Sequence, residues 1–264
     1  MVRRPTARAG MALILTLSAI ALAGALAILL QTRAAARSRA EHEELLRERL
    51  RVAAAESARE ALRVLAADED LQVDHLGEEW ALPIEANHED GLSTLAMIED
   101  AGRFYNWNNL SATNTATRVP RDILLDLLTI CGDFSPVVRV EALADYVDSD
   151  REGSYEDAFY RRRDPPSTPP HRLLWAPAEL LGVHEFSAGM FEARPKTGTD
   201  ELFGGDLAAS TVVVPAPLAA PIPVNINTAS REVLMGLTGW QQEAGMQRIQ
   251  DITQIQPFES IGMM

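Results

Sequence analysis

An uninterrupted apolar segment near the N-terminus, Met11–Leu30, constrains this chain more than any other feature. Every residue in it is apolar or small, apart from two hydroxyl side chains. As an α-helix with a rise of about 1.5 Å per residue, it would span the hydrocarbon layer of a bilayer, which is about 30 Å thick. The apolar region of a cleaved secretory signal is usually only about 7–15 residues long, so this length favours a retained anchor. Arg3, Arg4 and Arg8 precede the segment and favour a cytoplasmic N-terminus, with the rest of the chain on the opposite side.

The apolar segment continues into a charged helical pattern. No proline or glycine occurs between Gln31 and Asp70, and the stretch is rich in Ala, Leu, Glu and Arg, which are strong helix formers. Apolar residues recur there at helical spacing, among them Leu46, Leu50 and Leu62. The sequence therefore predicts one long helix, with residues 11–30 in the membrane and residues 31–67 as a stalk.

The region after this helix is strongly acidic. The net charge is −14 at pH 7, from 24 basic and 38 acidic residues. The first 70 residues hold 11 of the basic and 9 of the acidic residues, which leaves 13 and 29 for the remainder. Such a body repels nucleic acid and favours divalent cations or basic partners. The single cysteine, Cys131, excludes an intrachain disulfide, and its apolar neighbours predict that it packs in a core.

The short basic leader ends in a glycine, Gly10, placed directly before the apolar segment. This arrangement resembles the leader of type IV pilins and type II secretion pseudopilins. The resemblance implies that a prepilin peptidase cuts between Gly10 and Met11, that the helix is retained and that the new N-terminus is methylated. Most members have Glu at the fifth mature position, where this chain has Leu15. Loss of that Glu resembles one minor pseudopilin, the general secretion pathway protein K.

Four stretches of the body resemble motifs of the protein K family, in the same order. They are "DEDLQVDHLGEEWALPIEA" at 68–86, "LSTLAMIEDAGRFYNWNNL" at 92–110, "ALADYVDSDREGSYEDAFY" at 142–160 and "PIPVNINTASREVL" at 221–234. The first is predicted to be a strand, because Trp80, Leu82 and Ile84 alternate with Ala81 and Pro83. The second is predicted to turn at Gly102.

The resemblance implies an α+β fold: a small pilin-like α/β portion that carries a large inserted helical domain with SAM-like or helix-hairpin-helix-like subdomains. The implied division is a leader at 1–10, a transmembrane segment at 11–30, a stalk helix at 31–67, pilin-like strands at 68–105, an inserted domain at 106–239 and a C-terminal segment at 240–264. Two subdomains, 106–180 and 215–239, flank a Pro/Gly-rich insert. Family members usually continue further, so the last segment is interpreted as short and truncated or diverged.

Two asparagine boxes form a weak internal repeat. "NWNNL" contains Asn106, Asn108 and Asn109, and "NINTA" contains Asn225, Asn227 and Thr228. Both boxes precede a helical pattern, so their side chains are predicted to be structural and to cap helix N-termini, with Ser230 as a further candidate.

An acidic cluster between residues 145 and 157 is a candidate metal site. "DSDRE" supplies oxygens at alternate positions, as loops that bind hard cations often do, although the spacing is not that of an EF-hand. The alternatives from spacing alone are a solvated acidic patch or carboxylates that pair with residues 161–163, which are all arginine. The resemblance implies calcium, with Asp148, Asp150 and Glu156 as the expected ligands and a role in holding a loop.

No catalytic constellation is found in the sequence. The five histidines make no i, i+4 pair, and neither H-E-x-x-H nor G-x-S-x-G occurs, so the chain is predicted not to be an enzyme. The resemblance implies a minor pseudopilin at the pseudopilus tip that helps to start the filament and to export folded proteins across the outer membrane. Its partners would be other minor pseudopilins, the prepilin peptidase, the assembly platform and the inner membrane, with a periplasmic body.

Two alternatives stay open. "NINTASREVLMGL" also resembles the helix-hairpin-helix of competence-type DNA-binding membrane proteins. That hairpin requires two glycines around one residue, whereas Gly236 and Gly239 are further apart and the surroundings are acidic, so no nucleic-acid partner is predicted. The other alternative is a generic membrane-anchored periplasmic protein.

Overall fold

A single helix, α1, runs from Ala7 to Ala66. The structure is a computed structural model that describes residues 7–68, 70–88, 91–111, 119–192, 206–215 and 221–258. Within these ranges, α1 is the one helix long and apolar enough to cross a membrane, and none of its apolar window is buried. The predicted long helix with an apolar first half is therefore confirmed.

The first compact unit, residues 1–67 with 83–97, combines α1 with a β-hairpin. In the hairpin, β1 (Ile84–Asn87) pairs antiparallel with β2 (Ser93–Ala96). The turn uses Gly91 at a φ of +80°, which glycine adopts without steric cost. Half-buried and exposed residues alternate along both strands, so one sheet face packs on α1 and the other meets solvent.

A polar network fixes the hairpin on the helix. Ser57 is buried on α1, and its hydroxyl shares a hydrogen bond with that of Thr94 on β2. Nε2 of His88 lies 3.0 Å from the Thr94 hydroxyl, and Nδ1 lies 3.2 Å from a carboxylate oxygen of Glu56. These contacts set the register between α1 and the hairpin.

The strand predicted around Trp80 begins later than expected. Glu79–Ala81 form a 3-10 turn, and the strand begins only at Ile84. Trp80 is buried, and its indole N–H donates to the Glu78 carboxylate, which favours a turn at this point. Pro83 lacks an N–H and therefore cannot donate to a ladder ahead of the strand. The predicted alternation is wrong before residue 84.

The second compact unit, residues 68–82 with 98–264, is built on three helices. They are α2 (Pro120–Ile130), α3 (Pro136–Val147) and α5 (Arg231–Thr238). Each of α2 and α3 begins with a proline, which is favourable at a position whose N–H has no helical partner. Their apolar faces meet in one core, whose fully buried members include Leu124, Leu128 and Leu143.

Close packing of α5 on α2 requires a small residue at one position. A Cβ atom on Gly236 of α5 would lie 3.2 Å from the Cβ of Leu127 on α2. The helices from the two predicted subdomains therefore pack directly on each other. Cys131 is buried at the end of α2, as predicted.

Trp107 joins the irregular part of this unit to its helical core. Its side chain is buried and makes edge-to-face contacts with Phe186 and Phe191, at centroid distances of 5.5 and 6.4 Å. Just before it, β3 (Tyr105–Asn106) pairs in parallel with β4 (Thr211–Val212). The predicted turn at Gly102 is the 3-10 turn Ala101–Arg103.

Two further helices complete the described part of the unit. The short α4 spans Asp157–Tyr160, and α6 spans Glu243–Ile255. Gly239 ends α5 in the left-handed conformation, and α6 packs back on α5 around Ile249. The domain boundary predicted at residue 239 thus falls between α5 and α6, two helices that pack on each other. The fold class is confirmed: a long N-terminal helix precedes a mixed α/β region that is mostly helical with small sheets.

Four buried asparagines bind the backbone of distant residues in the same way. In each, the carboxamide Nδ2 donates to the carbonyl and Oδ1 accepts from the N–H of one residue, as a neighbouring strand would. The pairs are Asn106 with Val214 (3.2 and 3.1 Å), Asn108 with Leu174 (2.9 and 2.8 Å), Asn109 with Ile222 (3.2 and 2.9 Å) and Asn227 with Phe258 (3.1 and 2.8 Å). We call these four pairs the asparagine clamps. They satisfy backbone groups that have no helix or sheet to join.

The two boxes share a local geometry as well as a sequence. Oδ1 of Asn106 accepts from the N–H of Asn108 at 3.2 Å, and Oδ1 of Asn225 accepts from the N–H of Asn227 at 3.0 Å. Asn225 also donates to the Asp100 carboxylate at 2.9 Å, and so does the Thr228 hydroxyl at 2.5 Å.

The predicted capping role is wrong for the first box, and in the second it falls to Ser230, the further candidate, rather than to an asparagine. α2 follows Val119, whose side chain makes no capping bond. The asparagines of the first box do not cap this helix, because their carboxamides bind distant backbone groups. At α5 the cap is Ser230, whose hydroxyl accepts from the N–H of Val233 at 3.3 Å.

Replacing Asn108 with leucine should destabilise the second unit by roughly 2–5 kcal/mol, because the buried N–H and C=O of Leu174 lose their partner. Urea unfolding of the full chain in detergent, followed by tryptophan fluorescence, measures the change. The matched control is Gln250→Leu on the exposed side of α6, which should stay within about 0.5 kcal/mol of wild type. Equal stabilities for the two variants would contradict the role of the clamp.

Candidate metal centre

Three carboxylates converge where α3 ends and α4 begins. Asp145 lies on the last turn of α3, Asp148 follows its last residue, and Glu156 directly precedes α4. Oxygens of the three groups lie within 4.8 Å of one another. We call this set the acidic site.

Several oxygens of the acidic site are buried without a hydrogen-bond donor. Both carboxylate oxygens of Glu156 and Oδ1 of Asp148 have no such partner among the described residues. Glu156 as a whole is 7 % exposed, which is rare for an acidic residue. Burying a carboxylate costs free energy unless hydrogen bonds or a cation compensate.

The electrostatics of the acidic site reflect this lack of compensation. Burial, and then the charges of Asp148 and Asp145, raise the pKa of Glu156. Burial, followed by Asp150 and Asp145, likewise raises the pKa of Asp148. The nearby His171 opposes both shifts without reversing them. The site therefore favours either protons or a bound cation.

The neighbouring carboxylate, Asp157, is in the opposite situation. Nε2 of His171 lies 3.1 Å from its Oδ1, while Arg151 and Arg161 donate to its Oδ2 at 3.1 and 2.8 Å. The hydrogen bond with His171, followed by the two arginine charges, lowers the pKa of Asp157. These three side chains surround Asp157, whereas at the acidic site one residue away Nδ1 of His171 lies 3.8 Å from Oε2 of Glu156, beyond hydrogen-bond distance.

The loop between the two helices positions Asp145. The backbone N–H of Tyr155 donates to its Oδ2 at 2.8 Å. A Cβ atom on Gly153 would lie 2.2 Å from the same oxygen, so a larger residue there would displace the Asp145 carboxylate. Within the loop sequence "REGSY", Gly153 thus leaves room for the Asp145 carboxylate and Tyr155 bonds to it.

The structure places the predicted ligands as follows. Asp148 and Glu156 come together, whereas Asp150 is exposed and lies outside the group, its Oδ1 accepting from the N–H of Glu152. Asp145, which was not among the expected ligands, takes its place. The signal for Asp145 is its position one helical turn before Asp148, which puts both carboxylates on one side of the helix end.

These residues fit a hard divalent cation. Calcium takes about 6–8 oxygen ligands, largely carboxylate and carbonyl oxygens, and the buried oxygens of Asp148 and Glu156 are of this kind. Asp68, Asp74 and Glu78 form a second acidic group, but there the Glu78 carboxylate already accepts from the N–H of His75 and from the Trp80 indole.

The residues predicted to matter for processing lie in α1. Gly10 is within the helix, and Met11 and Leu15 have side chains that are 64 % and 65 % exposed. The backbone is helical on both sides of the predicted cleavage point between Gly10 and Met11, so the apolar segment continues the helix that begins at Ala7.

Calcium should stabilise the protein through Glu156. In wild type, calcium at about 100 times its dissociation constant should add about 2.7 kcal/mol to the free energy of unfolding, measured by thermal unfolding with calcium or with EDTA. Glu156→Gln should lose most of this gain because it removes a buried charged ligand. Glu152→Gln, on the exposed part of the same loop, is the matched control and should keep it. A calcium shift of equal size in all three proteins would contradict the assignment.

In EDTA, Glu156→Gln should be more stable than wild type at neutral pH. Because the pKa of Glu156 is raised above 4.5, the folded state binds its proton more tightly than the unfolded state does. Ionised Glu156 thus lowers stability above the folded pKa, and this cost fades as the pH falls through that value. The advantage of the variant should disappear on acidification, and an advantage that grows at low pH would be inconsistent with this origin.

Comparisons with known proteins bear on the fold. No protein-family model matches the chain, and no curated protein matches it. The chain is similar to a chain in the crystal structure of the GspK-GspI-GspJ complex from the type 2 secretion system of enterotoxigenic Escherichia coli. This match has a TM-score of 0.57 at 23 % sequence identity and covers 78 % of this chain and 70 % of that chain. At this identity the likeness shows a shared fold, and the fold is that of a chain in a type II secretion complex.

Proposed function

We propose that this protein is a minor pseudopilin of type II secretion, related to protein K, at the tip of the pseudopilus. The proposal rests on one observation, that two features of such proteins occur together in this chain. An exposed apolar helix follows a basic leader ending in Gly10, and the chain shares its fold with a chain of a type II secretion complex. In this role it helps to start the filament and to export folded proteins across the outer membrane.

The apolar helix supports membrane anchoring by a single pass. Its exposed apolar side chains have no partner within the described part of the chain, so lipid is their natural surroundings. We place the N-terminus in the cytoplasm and the body in the periplasm. Leu15 at the fifth position puts no carboxylate in the apolar segment, which fits a subunit that is not part of the repeating shaft.

The stalk half of α1 supports packing against partner subunits. Leu46 and Leu50 are four residues apart, Leu62 and Leu65 are three apart, and these leucines expose between 39 % and 63 % of their surface. Exposed leucines at helical spacing are typical of a helix that packs against another helix. Because the fold is shared with a chain crystallised in a three-protein complex, we propose two other minor pseudopilins as partners, together with the inner-membrane assembly platform.

The acidic site supports a structural role for calcium within this proposal. A calcium ion there would offset two of the three carboxylate charges and connect the end of α3 to the start of α4. We propose that the bound ion and its three carboxylate ligands hold the loop in place, and we propose no catalytic activity for the protein.

Prepilin peptidase should cut this chain between Gly10 and Met11. Co-expression of the full chain with the peptidase, followed by mass spectrometry of the purified protein, should give a methylated product beginning at Met11. Gly10→Val should block the cut because valine adds a branched side chain where the junction has none. Gly24→Val is the matched control: a Cβ at Gly24 meets no atom within 4 Å, so cleavage should proceed.

Two outcomes would refute the proposal. One is a chain that keeps its leader in the presence of the peptidase. The other is a product cut inside or after the apolar segment, as ordinary signal peptidase would produce.

A further inference from the structure

A ring of arginines follows the apolar segment on α1. Residues 31–40 contain Arg33, Arg37 and Arg39 and no acidic residue. The first acidic residue after the apolar segment is Glu41. We call these three arginines the arginine collar. It carries a local charge of +3, in a chain whose net charge is −14.

The position of the collar corresponds to the headgroup layer of a bilayer. α1 continues without a break through this region, so each residue advances about 1.5 Å along the axis. Arg33 therefore lies roughly 4.5 Å and Arg37 roughly 10 Å beyond Leu30, the last apolar residue. Headgroups extend the bilayer by about 5–8 Å on each side, so Arg33 lies within that layer. Arg37, and Arg39 roughly 13 Å beyond Leu30, reach the layer by bending their long side chains back toward the membrane.

The collar arginines are not paired within the protein. Further along α1, Arg47 lies 3.5 Å from Glu43 and Arg51 lies 3.6 Å from Glu48. Among the residues that the structure describes, no ion pair or hydrogen bond engages the guanidinium groups of the collar, and all three residues are exposed. Their charge is therefore free for an external anion.

The arrangement of the collar suits a continuous anionic surface. Arg33 and Arg37 are one turn apart and share a face of the helix, whereas successive residues advance by about 100°, so Arg39 points to a different side. A single small anion could contact only one side of such a helix. A bilayer surface surrounds the helix and presents phosphate groups, which guanidinium groups bind in a bidentate manner.

We propose that the arginine collar binds the phosphate groups of anionic phospholipids where α1 leaves the membrane. This rests on the proposed membrane anchor and adds a lipid preference to it. The collar fixes the depth of α1 in the bilayer, so that the stalk begins at a defined height above the membrane.

Native mass spectrometry of the full chain tests the proposal. The protein is released from mixed micelles of phosphatidylglycerol and phosphatidylcholine, and the retained lipids are counted. Wild type should retain phosphatidylglycerol in preference to phosphatidylcholine, by a factor of about five for each arginine engaged. The triple variant R33Q/R37Q/R39Q should lose this preference.

A second triple variant, R47Q/R49Q/R51Q, is the matched control. It removes the same charge from the same helix beyond the headgroup layer and should retain the wild-type preference. Three results would overturn the proposal: no preference in wild type, equal loss in both triple variants, or unchanged lipid retention in the collar variant with loss of a bound protein instead. Cleavage at Gly10 is read separately by intact mass, so failure of the pseudopilin proposal and failure of the lipid proposal are distinguishable.

Discussion

The second unit depends on a way of satisfying backbone hydrogen bonds without a sheet. Its two pairs of β residues form too small a ladder to hold the long irregular segments in place. The asparagine clamps take over this task, each offering a donor and an acceptor to one distant residue. Four segments, around residues 174, 214, 222 and 258, are thereby attached to the core. A buried carboxamide is costly unless it is fully bonded, so this arrangement is specific as well as stabilising.

The clamps also lead to the acidic site. Asn108 holds Leu174, and only three residues earlier in the chain His171 contacts Asp157. The loop that carries His171 is thus attached to the core on one side and to α4 on the other. With Asp157 paired with two arginines and bonded to His171, the carboxylates of Asp148 and Glu156 are the ones available to a cation. The same unit therefore combines backbone segments fixed by the asparagine clamps with an acidic site whose buried oxygens lack hydrogen-bond donors among the described residues.

The features that could be predicted from the sequence are those encoded over short distances. An apolar segment followed by a stretch of strong helix formers specifies α1, whatever the rest of the chain does. The turn at Gly102 and the buried Cys131 are likewise local properties. Also local is the repeated geometry of the asparagine boxes, where each first carboxamide accepts from an N–H two residues later.

The features that escaped prediction depend on distant partners. Asn108 and Leu174 are 66 residues apart, and Asn109 and Ile222 are 113 residues apart, so a pattern within one box cannot identify either partner. Capping was the expected role because it is the local one available to an asparagine before a helix. Asp145 joined the acidic site, and Asp150 did not, because the chain leaves α3 at Asp148 and points Asp150 toward solvent. The strand predicted near Trp80 does not form there, because burial of the indole against Glu78 favours a turn.

The central proposal is that this chain is one member of a complex of minor pseudopilins, anchored in the membrane by the apolar half of α1. The most direct measurement is co-expression of the full chain with the two other minor pseudopilins of its own secretion system, followed by native mass spectrometry of the purified assembly. We expect a complex that contains one copy of each of the three proteins. Recovery of this chain alone, or only in complexes with copies of itself, would contradict it.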